Sequence, residues 1–179
     1  PQAGAWCCGG YDGPSPPGLP TEDYDGTSWS SGGNLNTGRW NNYSYGSGSA
    51  RITMGGDRPA SQGISLATEE YNGSSWTAVN NSSTPQSGGS NIGSVISSCM
   101  AVGNYAPTVP GPGEAIVQNY DGTSWSAGTS LTVGRDGTAG GSGTTAAGLC
   151  VAGNQSGIGV YVGTEEYNDP SVTTITTST

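Results

Sequence analysis

The fold is decided by the stretch Thr68-Glu-Glu-Tyr-Asn-Gly-Ser-Ser-Trp76, because it is one of four similar stretches that repeat along the chain. The other copies occupy residues 21–29, 117–125 and 164–169. The tyrosines of successive copies are separated by 47, 49 and 47 residues. An internal period of this length is typical of proteins in which each repeat forms one small β-sheet.

A second marker lies upstream of each copy and is a short run that ends in glycine. These runs occupy residues 6–10, 52–56, 99–103 and 149–153, and their last glycines are 46, 47 and 50 residues apart. Two markers that keep one period define a single repeat domain over residues 1–179. Its units cover approximately residues 1–36, 37–83, 84–132 and 133–179.

Each unit is predicted to form short antiparallel strands. The Asp-Gly or Asn-Gly pair after each of the first three tyrosines favours a hairpin with a type I′ turn, which would join the strands of Tyr71 and Trp76. Small-residue stretches such as 43–49 and 137–143 indicate an inner strand in a crowded place, where glycine allows close approach of backbones. No window has the 3.6-residue apolar period of a helix, so the prediction is all-β.

The order of Gly55-Gly56, Tyr71 and Trp76 resembles the Kelch repeat. The resemblance implies a Kelch-like β-propeller of about four antiparallel blades. The pattern departs from Kelch in its later copies, where Val102 and Ala152 take the place of Gly55 and the last copy lacks its tryptophan. The units also resemble repeats of bacteriophage virion and tail-fibre proteins.

The strand count predicts an incomplete first blade. The first unit begins at its marker strand and lacks an inner strand, which gives 15 strands if the last one covers residues 173–177. The ring is closed if the missing strand is dispensable or supplied in another way. Alternatively, an open array is completed by another copy, which would make the protein a homo-oligomer.

The net charge of −9 arises from thirteen acidic residues against four arginines, with no lysine. Nucleic-acid binding depends on clustered cations, and so does attraction to anionic lipid, so neither partner is expected. No apolar run approaches the roughly 18 residues of a membrane span.

The absence of histidine excludes a Ser–His–Asp triad, a Cys–His pair and histidine-ligated metal. We therefore expect no enzyme activity, no catalytic residue, no metal and no cofactor. Phenylalanine is also absent, so aromatic residues must supply much of the buried surface. Trp29, Trp76 and Trp125 are predicted to pack between blades.

The acidic pairs Glu22-Asp23, Glu69-Glu70 and Glu165-Glu166 are predicted to lie on solvated strand edges. Neighbours in a strand point to opposite faces, so the two carboxylates of a pair cannot converge on one substrate atom. A glycosidase that uses carboxylates alone is therefore only a remote alternative. The four cysteines are expected to be reduced and buried, because packed sheets lie too far apart for disulfides.

The loops that follow the marker strands differ most between copies, and a propeller gathers such loops on one face. Recognition residues are often found on loops of a rigid scaffold. The predicted contacts with a ligand or partner in these loops are Asp57, Arg58, Tyr105 and Asn154. Trp40 is a further predicted contact, because it lies outside the repeated tryptophan position.

These observations lead to the expectation of a non-enzymatic virion module, such as a phage tail-fibre or capsid-decorating protein. Its partners would be other protein subunits or surface glycans, and its location the virion or the extracellular space. A secreted bacterial lectin or adhesin on the same scaffold is the alternative.

Overall fold

The computed structural model describes residues 4–11, 18–59, 62–105, 114–137, 140–155 and 158–168. These residues form strands and no helix, which confirms the all-β prediction. The strands are β1 (Ala5–Cys8), β2 (Thr21–Tyr24), β3 (Trp29–Ser31), β4 (Tyr43–Ser47), β5 (Ala50–Met54), β6 (Thr68–Tyr71), β7 (Trp76–Val79), β8 (Ser90–Val95), β9 (Ser98–Asn104), β10 (Glu114–Tyr120), β11 (Trp125–Ala127), β12 (Gly140–Gly143), β13 (Ala147–Gln155) and β14 (Gly159–Asn168). The described residues therefore include no helix that could span a membrane.

The strands form four antiparallel sheets, each built from strands that follow one another in the chain. The first sheet contains β1–β3, the second β4–β7, the third β8–β11 and the fourth β12–β14. None of the sheets closes into a barrel, and the arrangement is consistent with a propeller-like fold. The first sheet lacks an inner strand within the described residues, and the strand predicted at residues 173–177 lies outside them.

The predicted hairpin between Tyr71 and Trp76 is confirmed, but its turn is not of type I′. Tyr71 and Trp76 are paired across the hairpin, so four residues form the loop. Gly73 has a φ of 98°, whereas Asn72 is not among the residues with positive φ. Instead, the Asn72 side chain accepts hydrogen bonds from the backbone N–H groups of Ser74 and Ser75, both at 3.0 Å. This local bonding explains the Asp or Asn that opens the loop.

The core lies between neighbouring sheets. Tyr43, Tyr45, Ile52 and Met54 of the second sheet pack against Cys99, Ala101, Tyr120 and Trp125 of the third. The inner strands are crowded, as predicted, because a Cβ on Gly141 would lie 2.3 Å from the backbone oxygen of Asn91 in the adjacent inner strand. Sheets in contact through their faces explain how a chain poor in large aliphatic residues buries a core.

The repeated tryptophans pack between sheets as predicted in two of three cases. Trp76 and Trp125 are 5% and 7% exposed. Their indole N–H groups donate to the hydroxyls of Thr21 and Thr68 in the preceding sheet, at 2.8 and 2.9 Å. The prediction is wrong for Trp29, which is 53% exposed because no sheet of the described residues precedes the first one.

The structure also corrects the alignment of the glycine markers by one residue. Gly9, Gly55 and Gly103 occupy the same position, with φ of 75°, 67° and 78°. A Cβ at Gly55 would lie 2.3 Å from the backbone oxygen of Gln86, and a Cβ at Gly103 2.6 Å from that of Arg135. Gly103, rather than Val102, therefore corresponds to Gly55. The fourth sheet places Ala152 there, with a φ of 53°.

Candidate functional site

The described parts of the loops after the marker strands lie at one end of the sheets, which we call the loop end. The segments that lead into the inner strands are joined to one another at this end by backbone hydrogen bonds. The N–H of Gly88 donates to the carbonyl of Asn41 at 3.0 Å, and the N–H of Gly137 donates to the carbonyl of Gly88 at 2.5 Å. Loops of the second, third and fourth sheets thus contribute to one surface.

An aromatic pair lies at the loop end. The rings of Tyr11 and Trp40 are 5.1 Å apart and tilted by 58°. Tyr11 is 66% exposed, and Trp40 is half-buried. Trp40 is held by two backbone hydrogen bonds with Asp57, of 3.2 and 2.7 Å. The pair is therefore an exposed aromatic surface on a fixed backbone.

Hydrogen-bonding groups flank this aromatic pair. The side chain of Asn41 donates to the Asp57 carboxylate at 2.9 Å, and Asn41 has a left-handed φ of 53°. The neighbouring Arg58 is half-buried, and its Nε has no hydrogen-bond partner among the described residues. The structure thus brings together three of the predicted contact residues, namely Trp40, Asp57 and Arg58.

The other two predicted residues lie in the loops of the next two sheets. Tyr105 is 44% exposed, and its N–H donates to the carbonyl of Ser87 at 2.8 Å. Asn154 is exposed, forms backbone hydrogen bonds with Asp136, and directs its side-chain amide to the Asp136 carboxylate at 3.4 Å. Both residues share the loop end with Trp40, and their role in binding stays a prediction.

The sequence reasoning missed a buried polar network that recurs in three sheets. In the second sheet, Arg39 and Glu69 are 0% exposed and paired at 2.5 Å. Arg39 also donates to the carbonyls of Gly55 and Ala67, at 3.1 and 2.6 Å. The carboxylate of Glu69 accepts from the backbone N–H groups of Asn36 and Thr37, at 2.7 and 3.0 Å.

The fourth sheet repeats this arrangement, and the third replaces the charges with amides. Arg135 pairs with Glu165, which accepts from the backbone N–H groups of Thr132 and Val133. In the third sheet, the Gln118 side chain donates to Gln86 and accepts from the backbone of residues 83 and 84. The signal in the sequence is the shared spacing of Arg39, Gln86 and Arg135.

This network overturns the prediction that the acidic pairs are solvated. Glu69 is 0% and Glu165 9% exposed, whereas Glu22 is exposed. The alternation of side chains along a strand correctly places the two acidic residues of each pair on opposite faces of the sheet. It does not reveal that a connecting segment covers one of these faces. The buried carboxylates are tolerated because each has an arginine and backbone N–H groups as partners.

The four cysteines are free, as predicted, but they are not all buried. Cys99 and Cys150 are buried, Cys8 is half-buried and Cys7 is exposed. Burial raises the pKa of the Cys99 thiol to about 12, and it also raises the pKa of Cys8 and of Cys150. Among the described residues, no three cysteine or acidic side chains are grouped so that they could hold a metal ion.

No known family model and no curated protein matches the sequence. The chain is similar to the solved structure of YjhT, with a TM-score of 0.69 and 14% sequence identity. The likeness covers 91% of this chain and 52% of that protein, so the chain spans about half of its length. At this identity, the likeness shows the fold alone, which is an all-β arrangement of small antiparallel sheets.

Proposed function

We propose that this chain is a Kelch-like β-propeller module without enzyme activity, which contacts glycan or protein through its loop end. The observation that carries the proposal is the exposed Tyr11–Trp40 pair beside the Asp57 carboxylate and the Asn41 amide. Aromatic rings supply contact area at little entropic cost, and a few fixed polar groups supply orientation. Sugar rings, which have apolar faces and hydroxyl edges, fit this combination.

The absence of enzyme activity is supported by the state of the carboxylates. Glu69 and Glu165 are paired with arginines and bound by backbone N–H groups, so they are committed to the structure. The carboxylate of Glu70 accepts a hydrogen bond from the Tyr120 hydroxyl at 2.8 Å. These groups do not face one another across a cleft, as the carboxylates of a glycosidase must.

The proposed setting is the virion, where the module would be part of a tail fibre or decorate a capsid. The support is the resemblance of the repeats to those of phage virion proteins, together with the acidic, lysine-free composition. Other virion proteins or host-surface glycans would then be the partners.

The test is a glycan array probed with the chain and with two single-aromatic variants. Tyr11→Ala should weaken binding at least tenfold, because it removes one ring of the aromatic pair. Trp29→Ala is the matched control, since Trp29 is also exposed but lies at the opposite end of the first sheet. Equal binding by the wild type and Tyr11→Ala would show that the loop end is not the site. If no glycan binds, the same variants are compared for binding to purified virion proteins.

A further inference from the structure

The first sheet has a free edge where each of the other sheets has an inner strand. The marker strands β5, β9 and β13 pair on one side with the inner strands β4, β8 and β12. Within the described residues, β1 pairs only with β2. Its other edge presents backbone groups that a strand could bond, which is a known route of peptide recognition.

A cleft of about 450 Å³ lies beside this free edge. Its walls include Trp6 and Cys8 of β1, Asn42, Ser44 and Gly46 on the side of β4, and Asn91 of β8. In the second sheet, the equivalent space is filled by two side chains of the inner strand. The hydroxyls of Tyr43 and Tyr45 there donate to the carbonyls of Gly103 and Met100 in the next sheet, at 2.6 and 2.7 Å.

The first sheet also has a counterpart of Glu69 and Glu165, the exposed Glu22, which has no arginine partner among the described residues. Glu22 pairs with Cys7 across the strands, as Glu69 pairs with Thr53 and Glu165 with Cys150. Among the described residues, the only hydrogen-bond donor to the Glu22 carboxylate is the Cys7 thiol, at 3.9 Å. The part of the chain that the structure describes provides no counterpart there of the arginine and the backbone N–H groups that hold Glu69 and Glu165.

The first sheet lacks an arginine, two backbone N–H donors and an inner strand among the described residues. In the second and in the fourth sheet, one segment of the chain supplies all of these groups. Residues 36–47 supply the N–H donors at 36 and 37, the arginine at 39 and the inner strand β4. Residues 132–143 supply the same groups to the fourth sheet. One segment of this kind would therefore satisfy Glu22, pair with β1 and fill the cleft.

We propose that the free edge of β1, the cleft and Glu22 form a docking site for an extended segment from a further repeat unit outside residues 1–179. The segment carries an arginine four or five residues ahead of a strand of small and aromatic residues. The cleft borders the loop end, since Asn41 lines the cleft and also donates to Asp57, but the docking does not depend on the function proposed for the loop end.

The charges favour such a segment over a second copy of residues 1–179. The two arginine-bearing segments of the chain, around Arg39 and Arg135, are already built into its own sheets. Arg51 pairs with Asp23 and lies 5.0 Å over the Trp6 ring. A second copy therefore has no spare segment that combines an arginine with an inner strand.

The test uses a labelled synthetic peptide with the sequence of residues 36–49, titrated into the intact chain and followed by fluorescence anisotropy. Four combinations form a double-mutant cycle: wild type or Glu22→Gln, with the peptide arginine kept or replaced by glutamine. Each single change should weaken binding about tenfold, because it leaves one charge unpaired. The double change should recover most of the affinity, because Gln86 and Gln118 form such an amide pair in the third sheet.

A second readout reports the position of the bound peptide. Cys8 lines the cleft, whereas Cys150 lies in the fourth sheet, so the peptide should slow alkylation of Cys8 and leave Cys150 unchanged. Circular dichroism should show that Glu22→Gln is folded, since Glu22 is exposed. The proposal is wrong if the peptide does not bind at millimolar concentration, if all four combinations bind equally, or if Cys8 is not protected. It is equally wrong if light scattering shows a dimer that excludes the peptide.

Discussion

Gln118 donates a side-chain hydrogen bond to Gln86 inside the third sheet, at the two positions that hold an ion pair in the second and fourth sheets. The backbone partners are conserved between these networks, because Gln118 accepts from the N–H groups of residues 83 and 84 as Glu69 does from those of 36 and 37. One buried geometry therefore accepts either a charged or a neutral pair, provided that both members change together.

Gln86→Arg should lower the free energy of unfolding by about 3 kcal/mol, because it buries a charge opposite a neutral amide. The double variant Gln86→Arg/Gln118→Glu should recover most of this loss, since it recreates the pair of the neighbouring sheets. Urea unfolding of the single and double variants measures the coupling. If the changes in the free energy of unfolding caused by the two substitutions simply add, the networks of the three sheets are not equivalent.

Ala152→Gly should raise the free energy of unfolding by about 0.5–1 kcal/mol, because alanine is strained in the left-handed region and glycine is not. The matched control is Ala78→Gly in the exposed part of β7, where the same change should be destabilising by a similar amount. Thermal unfolding followed by circular dichroism distinguishes the two signs. A loss of stability at both sites would show that Ala152 is not strained.

Trp76→Ala should cost about 3–5 kcal/mol of stability, because it empties a packed space between the first and second sheets and removes the partner of Thr21. Trp29→Ala should cost about 0.5 kcal/mol or less, because Trp29 occupies the same repeat position without a sheet against it. Chemical denaturation of the two variants measures the difference. Equal losses would mean that Trp29 is covered in solution.

Stability should decline as the pH rises above about 9, the ordinary thiol pKa. The folded chain keeps the Cys99 proton up to about pH 12, whereas the unfolded chain releases it near 9. The folded state therefore binds more protons in this window, and stability falls with pH. Cys99→Ala should make the decline shallower by up to about 1.4 kcal/mol per pH unit, measured by urea unfolding between pH 8 and 10.5. Cys7→Ala, at an exposed thiol, should alter the decline much less.

The sequence predicts the repeat period, the strands and the hairpins because these depend on local patterns, such as Asn72-Gly73 between Tyr71 and Trp76. It does not predict the ion pairs, because Arg39 and Glu69 lie 30 residues apart and meet only when a connecting segment folds over the sheet. It also cannot distinguish Trp29 from Trp76, since identical motifs differ in burial only through the sheet that precedes them.

The candidate site is predictable in part. The position of variable loops after the marker strands leads to Asp57, Arg58, Tyr105 and Asn154 at one end of the sheets. Trp40 is found separately, because it lies outside the repeated tryptophan position. Tyr11 lies in the first of these loops, but the sequence does not show that its ring meets Trp40, because the two residues are brought together only by the folded backbone.

The buried polar networks are confined to single units, since Arg39 bonds Glu69 and Arg135 bonds Glu165 within one repeat, whereas neighbouring units are joined by tryptophan–threonine contacts. Duplication or deletion of one whole unit of about 47 residues, cut just before the residue equivalent to Asn36, would thus keep both partners of each network together. The Arg51–Asp23 pair differs, because it joins the first and second sheets and would be divided by the loss of either one. A chain of this kind could therefore change length in steps of one repeat while the Arg–Glu and Gln–Gln pairs inside every remaining unit stay complete.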